Sequence, residues 1–197
     1  MSPSADVLEF DRRAATYDDG RLGRWHQIIV TRCADVAMAS APVPLRVLDV
    51  GCGTGGMLVE FAVRLPTAMQ VVGVDPARGM ALRAAERADG RADVVRGGAE
   101  HLPFADGTFD LVVSSLSFDH WADREKGLRE IHRVLSAEGT LVLADRVGWW
   151  QRNRGHNVRH RKQLVRLAEA CGFEFDRRET IYRLFGLPLV QAMVLGR

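Results

Sequence analysis

The chain is poor in cysteine, in lysine and in long apolar runs, and each shortage excludes something. Cys33, Cys52 and Cys171 are odd in number, far apart and outside any C-x-x-C spacing. That argues against a disulfide framework or a zinc site, and for three small buried hydrophobes. No uninterrupted apolar stretch approaches the roughly 18 residues of a spanning helix, and the start MSPSADVLEF has neither a basic nor an apolar signal region. The expectation is a cytoplasmic protein with no membrane span, a monomer or homodimer. Of the 27 Lys and Arg residues only Lys126 and Lys162 are lysines, so the composition favours Arg throughout. Acids are missing from Arg146 to Ala168, where Arg146, Arg152, Arg154, Arg159, Arg161, Lys162 and Arg166 form a basic segment. Such a face suits a nucleic acid, a phosphate or a carboxylate.

What remains is ordinary for a globular protein: 197 residues, 47% hydrophobic and 26% charged, enough for one domain with a well-buried core. After a polar start, Leu22, Trp25, Ile28, Ile29, Cys33 and Val36 recur at helical spacing and predict a helix before Pro42 and Pro44. Strands are expected at LRVLDV, MQVVGVDP, ADVVRG, FDLVVSSLSF, TLVLADRV, FEFDRRE and LVQAMVLG. Helices are expected after Gly56, at RGMALRAAERA, at REKGLREIHRVLS with Leu128, Ile131 and Leu135 in register, and from Arg161 to Ala170. Strands alternating with helices specify a parallel sheet covered on both faces, which binds ligands beyond the carboxyl ends of its strands.

At the end of the first strand lies RVLDVGCGTGG. Gly51, Gly53 and Gly56 satisfy the dinucleotide spacing G-x-G-x-x-G, while Gly51, Gly53 and Gly55 equally satisfy G-x-G-x-G, so the glycines alone leave the ligand open. Asp49 says more. A carboxylate two residues before the turn is poorly matched to a pyrophosphate and well matched to a ligand carrying a positive group. The second strand ends in Asp75, 24 residues after Gly51, where an acid accepts from both hydroxyls of a ribose. GGAEHLPF closes the third strand with backbone suited to a flat base, and SSLSFDHW brings Ser114, Ser115, Asp119, His120 and Trp121 to the same rim.

DVGCGTGG, VVGVDPARGM, GGAEHLPFADGTFDLVVSSLSFDHW and REIHRVLSAEGTLVLADR together resemble the class I S-adenosylmethionine-dependent methyltransferases, in the small-molecule branch that includes the ubiquinone and menaquinone biosynthetic enzymes. The resemblance runs from Phe10 to Arg197 and implies an α/β, three-layer Rossmann-like fold: a seven-stranded, mostly parallel sheet with an antiparallel last strand. It implies a single domain, with a helical cap over 1–40, a cofactor-binding core over 45–145, and a basic segment with C-terminal strands over 146–197. It places Asp49, Gly51 and Gly53 around the methionyl part of S-adenosylmethionine, Asp75 on the ribose, Pro76 and Met80 beside the adenosine, Ala99 and Glu100 against the adenine, and Ser114 near the sulfonium. FDRRAATYDD is similar to a segment that lies over the cofactor, bringing Tyr17 to the pocket wall. Where the family usually has an Asp to receive the adenine amino group, this chain has Gly98.

The implied reaction moves a methyl group to an O, N or C atom of a small, acidic or aromatic acceptor, with no metal; the alternatives are a nucleic-acid methyltransferase, disfavoured by the lack of an appended recognition module, and a protein that binds S-adenosylmethionine without catalysis. A methyl on sulfonium is already electrophilic, so the protein must chiefly align the nucleophile and exclude water. A base is needed only where the acceptor loses a proton, and His120 is the candidate. Asp119, Trp121 and Trp149 are the expected acceptor contacts.

Overall fold

The computed structural model describes residues 4–41, 43–66, 68, 70–147 and 161–197. Its strands are β1 (Arg46–Val50), β2 (Gln70–Asp75), β3 (Asp93–Arg96), β4 (Phe109–Ser115), β5 (Leu135–Arg146), β6 (Glu174–Leu184) and β7 (Leu187–Gly196). They form one sheet in the order β3-β2-β1-β4-β5-β7-β6, parallel except that β7 runs antiparallel to both its neighbours. Successive strands spread outward from β1 in both directions, so the crevice between the ends of β1 and β4 is the switch point of the sheet. Asp49 is in register with Gly73 and Val113, and Asp75 with Arg96, which brings the carboxyl ends of β1 to β4 to one edge.

Both faces of the sheet are buried, hence the near-continuous apolar runs in its central strands. On one face Leu48, Phe109, Val112 and Leu141 pack under α5 (Arg124–Val134) and α6 (Arg161–Ala170), which contribute Leu128, Ile131 and Ala168. On the other, Val47, Leu111, Val113 and Val142 meet Ile29, Cys33 and Ala37 of α2 (Gly20–Ser40) and Phe61 of α3 (Gly56–Arg64). The three cysteines are free and buried, as the sequence suggested. α4 (Arg78–Ala88) matches its expected bounds and ends where Asp89 and Gly90 both turn left-handed.

One element differs from expectation, and one was expected from the resemblance alone. Leu135 does not close α5 but opens β5: its backbone is extended, and it pairs with Phe109 before the register shifts and resumes at Thr140 opposite Leu111. Its side chain is fully buried there, so one apolar residue serves the core in a strand as well as in the helical repeat it continues. The polar start contains α1 (Ala5–Arg13), capped by Ser4, whose hydroxyl accepts from the Val7 amide at 3.3 Å. None of its residues is buried, which is why apolar periodicity gave it no separate signal.

Candidate active site

The turn after β1 settles the spacing question. Gly51, Gly53 and Gly55 take φ of 76°, 55° and 81°, while Gly56 is the first residue of α3, so G-x-G-x-G is the pattern the backbone uses. The turn is fixed by the Gly51 and Cys52 amides, which donate to the Val74 carbonyl at 2.8 and 3.0 Å. A Cβ on Gly51 would fall 2.4 Å from the Ser117 side chain. That contact exists because Leu116 is itself left-handed, with φ 56°, and swings Ser117 beneath the turn. The Ser117 hydroxyl donates to the Val50 carbonyl at 3.0 Å, and so accepts from the Ser114 hydroxyl at 2.7 Å and from the Trp121 indole at 3.2 Å.

Two carboxylates lie behind the turn. Asp75 is 7% exposed, and its oxygens accept from the Gly53 amide at 2.9 Å and the Ala77 amide at 2.8 Å. Burial raises it to about 6 against those two hydrogen bonds. Asp49 is 2% exposed and is raised to about 8, first by burial and then by the negative charge of Asp75. Two buried acids sharing one crevice favour a ligand that supplies a cation and hydroxyl donors, and disfavour a second anion such as pyrophosphate.

In front of the turn opens a cleft of about 840 Å³, counted out to open solvent. It is lined by Gly51, Gly53 and Asp75 at the glycine turn and the end of β2, by Pro76, Ala77 and Met80 leading into α4, and by Gly98, Ala99, Glu100 and Trp121 from the loops after β3 and β4. Tyr17, Phe10, Val7 and Asp6 close it from above, on α1 and the turn after it. Three aspartates anchor that cover. Asp11 accepts from the Gly79 amide at 2.6 Å in the first turn of α4, Asp18 accepts from the Thr54 hydroxyl at 2.9 Å, and Asp6 meets His120 at 2.9 Å. Gly79 leaves room for this docking, since a Cβ there would press on Ala14 and the Asp11 carbonyl at 3.0 Å.

Of the expected site residues, Tyr17, Gly51, Gly53, Asp75, Pro76, Met80, Gly98, Ala99, Glu100, His120 and Trp121 all line this one cleft. Asp49 stands below the turn rather than on the wall. Ser114 is fully buried and braces Ser117, so it does not line the cleft, whereas Ser115, Leu116 and Ser117 do. Asp119 turns away from the cleft: its carboxylate is 3.5 Å from the Arg124 guanidinium and its amide donates to the buried Asp145. Trp121 is 8% exposed, its ring built into the same core cluster as Ala99, so it presents only an edge to the cleft. Glu100 accepts from the Ala122 and Asp123 amides at 2.8 and 3.2 Å, tying that part of the lining to the loop after His120. Trp149 and most of the basic segment lie outside the described residues.

Sequence reasoning missed Asp6, Ala77 and Ser117, and reached Phe10 only as part of the segment FDRRAATYDD. Asp6 and His120 are 114 positions apart, a pairing no local pattern encodes. Also missed was His26 on α2, stacked on Tyr17 with ring centroids 4.8 Å apart and its buried Nδ1 without a partner among the described residues. Burial, then the charges of Arg146 and Arg13, lower it to about 4, so it is neutral at pH 7.

A glycine turn at the switch point, acids closing the first two strands and this strand order define the class I methyltransferase fold. Residues 48–143 match the family model described as a methyltransferase domain. The chain is 36% identical over 137 residues to a malonyl-[acyl-carrier protein] O-methyltransferase of Geobacter sulfurreducens, covering 68% of this chain and 50% of that one. It is 39% identical over 125 residues to a demethylmenaquinone methyltransferase of Thermus thermophilus, covering 62% and 54%. The chain thus spans about half the length of these curated relatives. In fold it is similar to an S-adenosylmethionine-dependent methyltransferase of Aquifex aeolicus, with a TM-score of 0.74, 17% identity and 94% and 97% of the two chains covered. No helix among the described residues is long and apolar enough to cross a membrane.

Proposed function

We propose that this protein transfers a methyl group from S-adenosylmethionine to a small acidic or aromatic molecule. The observation that carries the reading is the pair of buried acids behind a left-handed glycine turn. Asp49, pushed up to about 8, is an acid awaiting a cation, and the α-ammonium of the methionyl part supplies one. Asp75 accepts from the ribose hydroxyls with the oxygen lone pairs its two backbone bonds leave over. Pro76, Ala77, Met80, Ala99 and Trp121 supply the apolar lining that suits an adenine. Gly98 contributes backbone only, so the base is held by packing and main chain.

When bound, S-adenosylmethionine supplies an electrophilic methyl group that needs no further activation. The chain's own part is to seal the cleft with α1, to orient the acceptor, and to take up a proton at His120 where the acceptor must lose one. The arginines after Arg146 are suited to an acidic acceptor.

Calorimetric titration with S-adenosylmethionine, S-adenosylhomocysteine and NADH tests this reading directly. The two sulfur nucleosides should bind and NADH should not. A folded, ligand-free preparation that binds neither of them, or that binds NADH instead, would overturn it.

A further inference from the structure

His120 is held by a residue 114 positions away in the chain. Its Nδ1 lies 2.9 Å from Asp6 Oδ2, while the Phe10 ring meets the imidazole edge-on with centroids 5.0 Å apart. Asp6 and Phe10 both stand on α1, and both line the cleft with His120. The other charged groups nearby are engaged elsewhere: Asp119 faces Arg124, and Arg124 also donates to the Phe118 and Asp119 carbonyls. The acid that orients the ring therefore comes from the cover, not from the loop that carries His120.

We propose that Asp6 is a positioning residue for His120, so that docking of α1 arms the base as well as sealing the cleft. This inference rests on the methyl-transfer reading above. A carboxylate accepting from Nδ1–H leaves Nε2 without a proton and stabilises the imidazolium that forms when Nε2 takes one up. With α1 undocked, the ring loses both the tautomer lock and the Phe10 wall, and bulk water reaches the cleft. Base competence and exclusion of water then switch on together.

A device of this kind serves only an acceptor that sheds a proton as it is methylated, such as a phenol or an enolisable 1,3-dicarbonyl. A carboxylate already ionised at neutral pH has no use for it. In the step, the acceptor O–H bond breaks and its proton passes to His120 Nε2. The freed pair forms the bond to the methyl carbon, and the C–S pair remains on sulfur as a neutral thioether; the imidazolium later returns its proton to water.

The test reads the ring directly. Long-range ¹H–¹⁵N spectra of the full chain, saturated with S-adenosylhomocysteine at a pH where the imidazole is neutral, report which nitrogen of His120 carries the proton. The wild type should show the Nδ1–H form. Asp6→Ala should shift most of the population to Nε2–H, and Asp6→Glu should restore Nδ1–H at least in part. A wild-type ring protonated on Nε2, or an Asp6→Ala ring indistinguishable from wild type, overturns the proposal. Failure of the wild type to bind S-adenosylhomocysteine would instead strike the cofactor reading. With labelled S-adenosylmethionine and a panel of phenols, 1,3-dicarbonyls, carboxylates and tertiary amines, label should enter the first two classes. There Asp6→Ala should lower kcat about 10- to 100-fold with the cofactor KM unchanged. Label in carboxylates or amines alone, or in none of the panel, counts against it.

Discussion

At the scale of single residues, Asp75 is the most exacting test of the site. Both its oxygens already accept from backbone amides, so it shapes the turn before any ligand arrives. Asp75→Asn keeps the volume but presents one donor where only acceptors fit, and removes the charge from the ribose contact. Since hydrogen bonds to a charged group contribute about 1.5–3 kcal/mol, affinity for S-adenosylhomocysteine should fall roughly 10- to 100-fold with the fold intact. Calorimetry beside a thermal melt checks this, and unchanged affinity would remove Asp75 from the map. This residue was legible because its position is local: a strand end a fixed distance after a glycine turn. Ser117 was not, because its place under Gly51 depends on a left-handed Leu116 that no residue type announces. Asp119 misled for a related reason. Adjacency to His120 in sequence places its side chain on the far side of a single 3₁₀ turn, where Arg124 claims it.

Among the elements, α1 carries the function least visible in the sequence. It buries no residue of its own, so its position comes from polar contacts at chosen points and from the small apolar cluster that Val7, Phe10 and Tyr17 make with Ala77 and Met80. Asp11 is the strongest of those points, because it satisfies a free amide at the start of α4 and adds negative charge to a helix N-terminus. Asp11→Ala should cost about 1 kcal/mol, and most of that loss should appear as undocking of α1 rather than as global unfolding. Limited proteolysis then cuts α1 faster in the variant, and saturating S-adenosylhomocysteine restores part of the protection. Equal cleavage rates would show that the apolar cluster alone holds the cover. Helices and strands that bury a face were legible from period alone. α1 was not, and neither was the start of β5, where a buried leucine fits two periods at once.

For the molecule as a whole, the site leaves a mark on stability. Folding buries Asp49, Asp75 and Asp145, and burial raises all three above their unfolded values, Asp49 to about 8 and Asp75 to about 6. A native carboxyl raised in this way keeps a proton the unfolded chain has lost, so its contribution is present at low pH and declines as pH rises from about 4 to its native value. His26 acts oppositely: depressed to about 4, it binds fewer protons when folded, and stability rises with pH until about 6.5. Below pH 6.5 His26 opposes that decline only in part, one group against three carboxyls. Above it His26 is neutral in both states, Asp75 is ionised, and the decline set by Asp49 stands alone with whatever Asp145 adds. One proton contributes about 1.4 kcal/mol per pH unit, so between pH 6.5 and 8 the ligand-free protein should lose about 2 kcal/mol, some 4–8 °C in Tm for a chain of this size. Saturating S-adenosylhomocysteine should flatten the slope, because its ammonium lets Asp49 ionise while folded, and Asp49→Asn should flatten it without ligand. A ligand-free Tm that holds or climbs over that range would mean Asp49 is already ionised behind the turn, and the buried charge would then need a partner within the protein rather than in the cofactor.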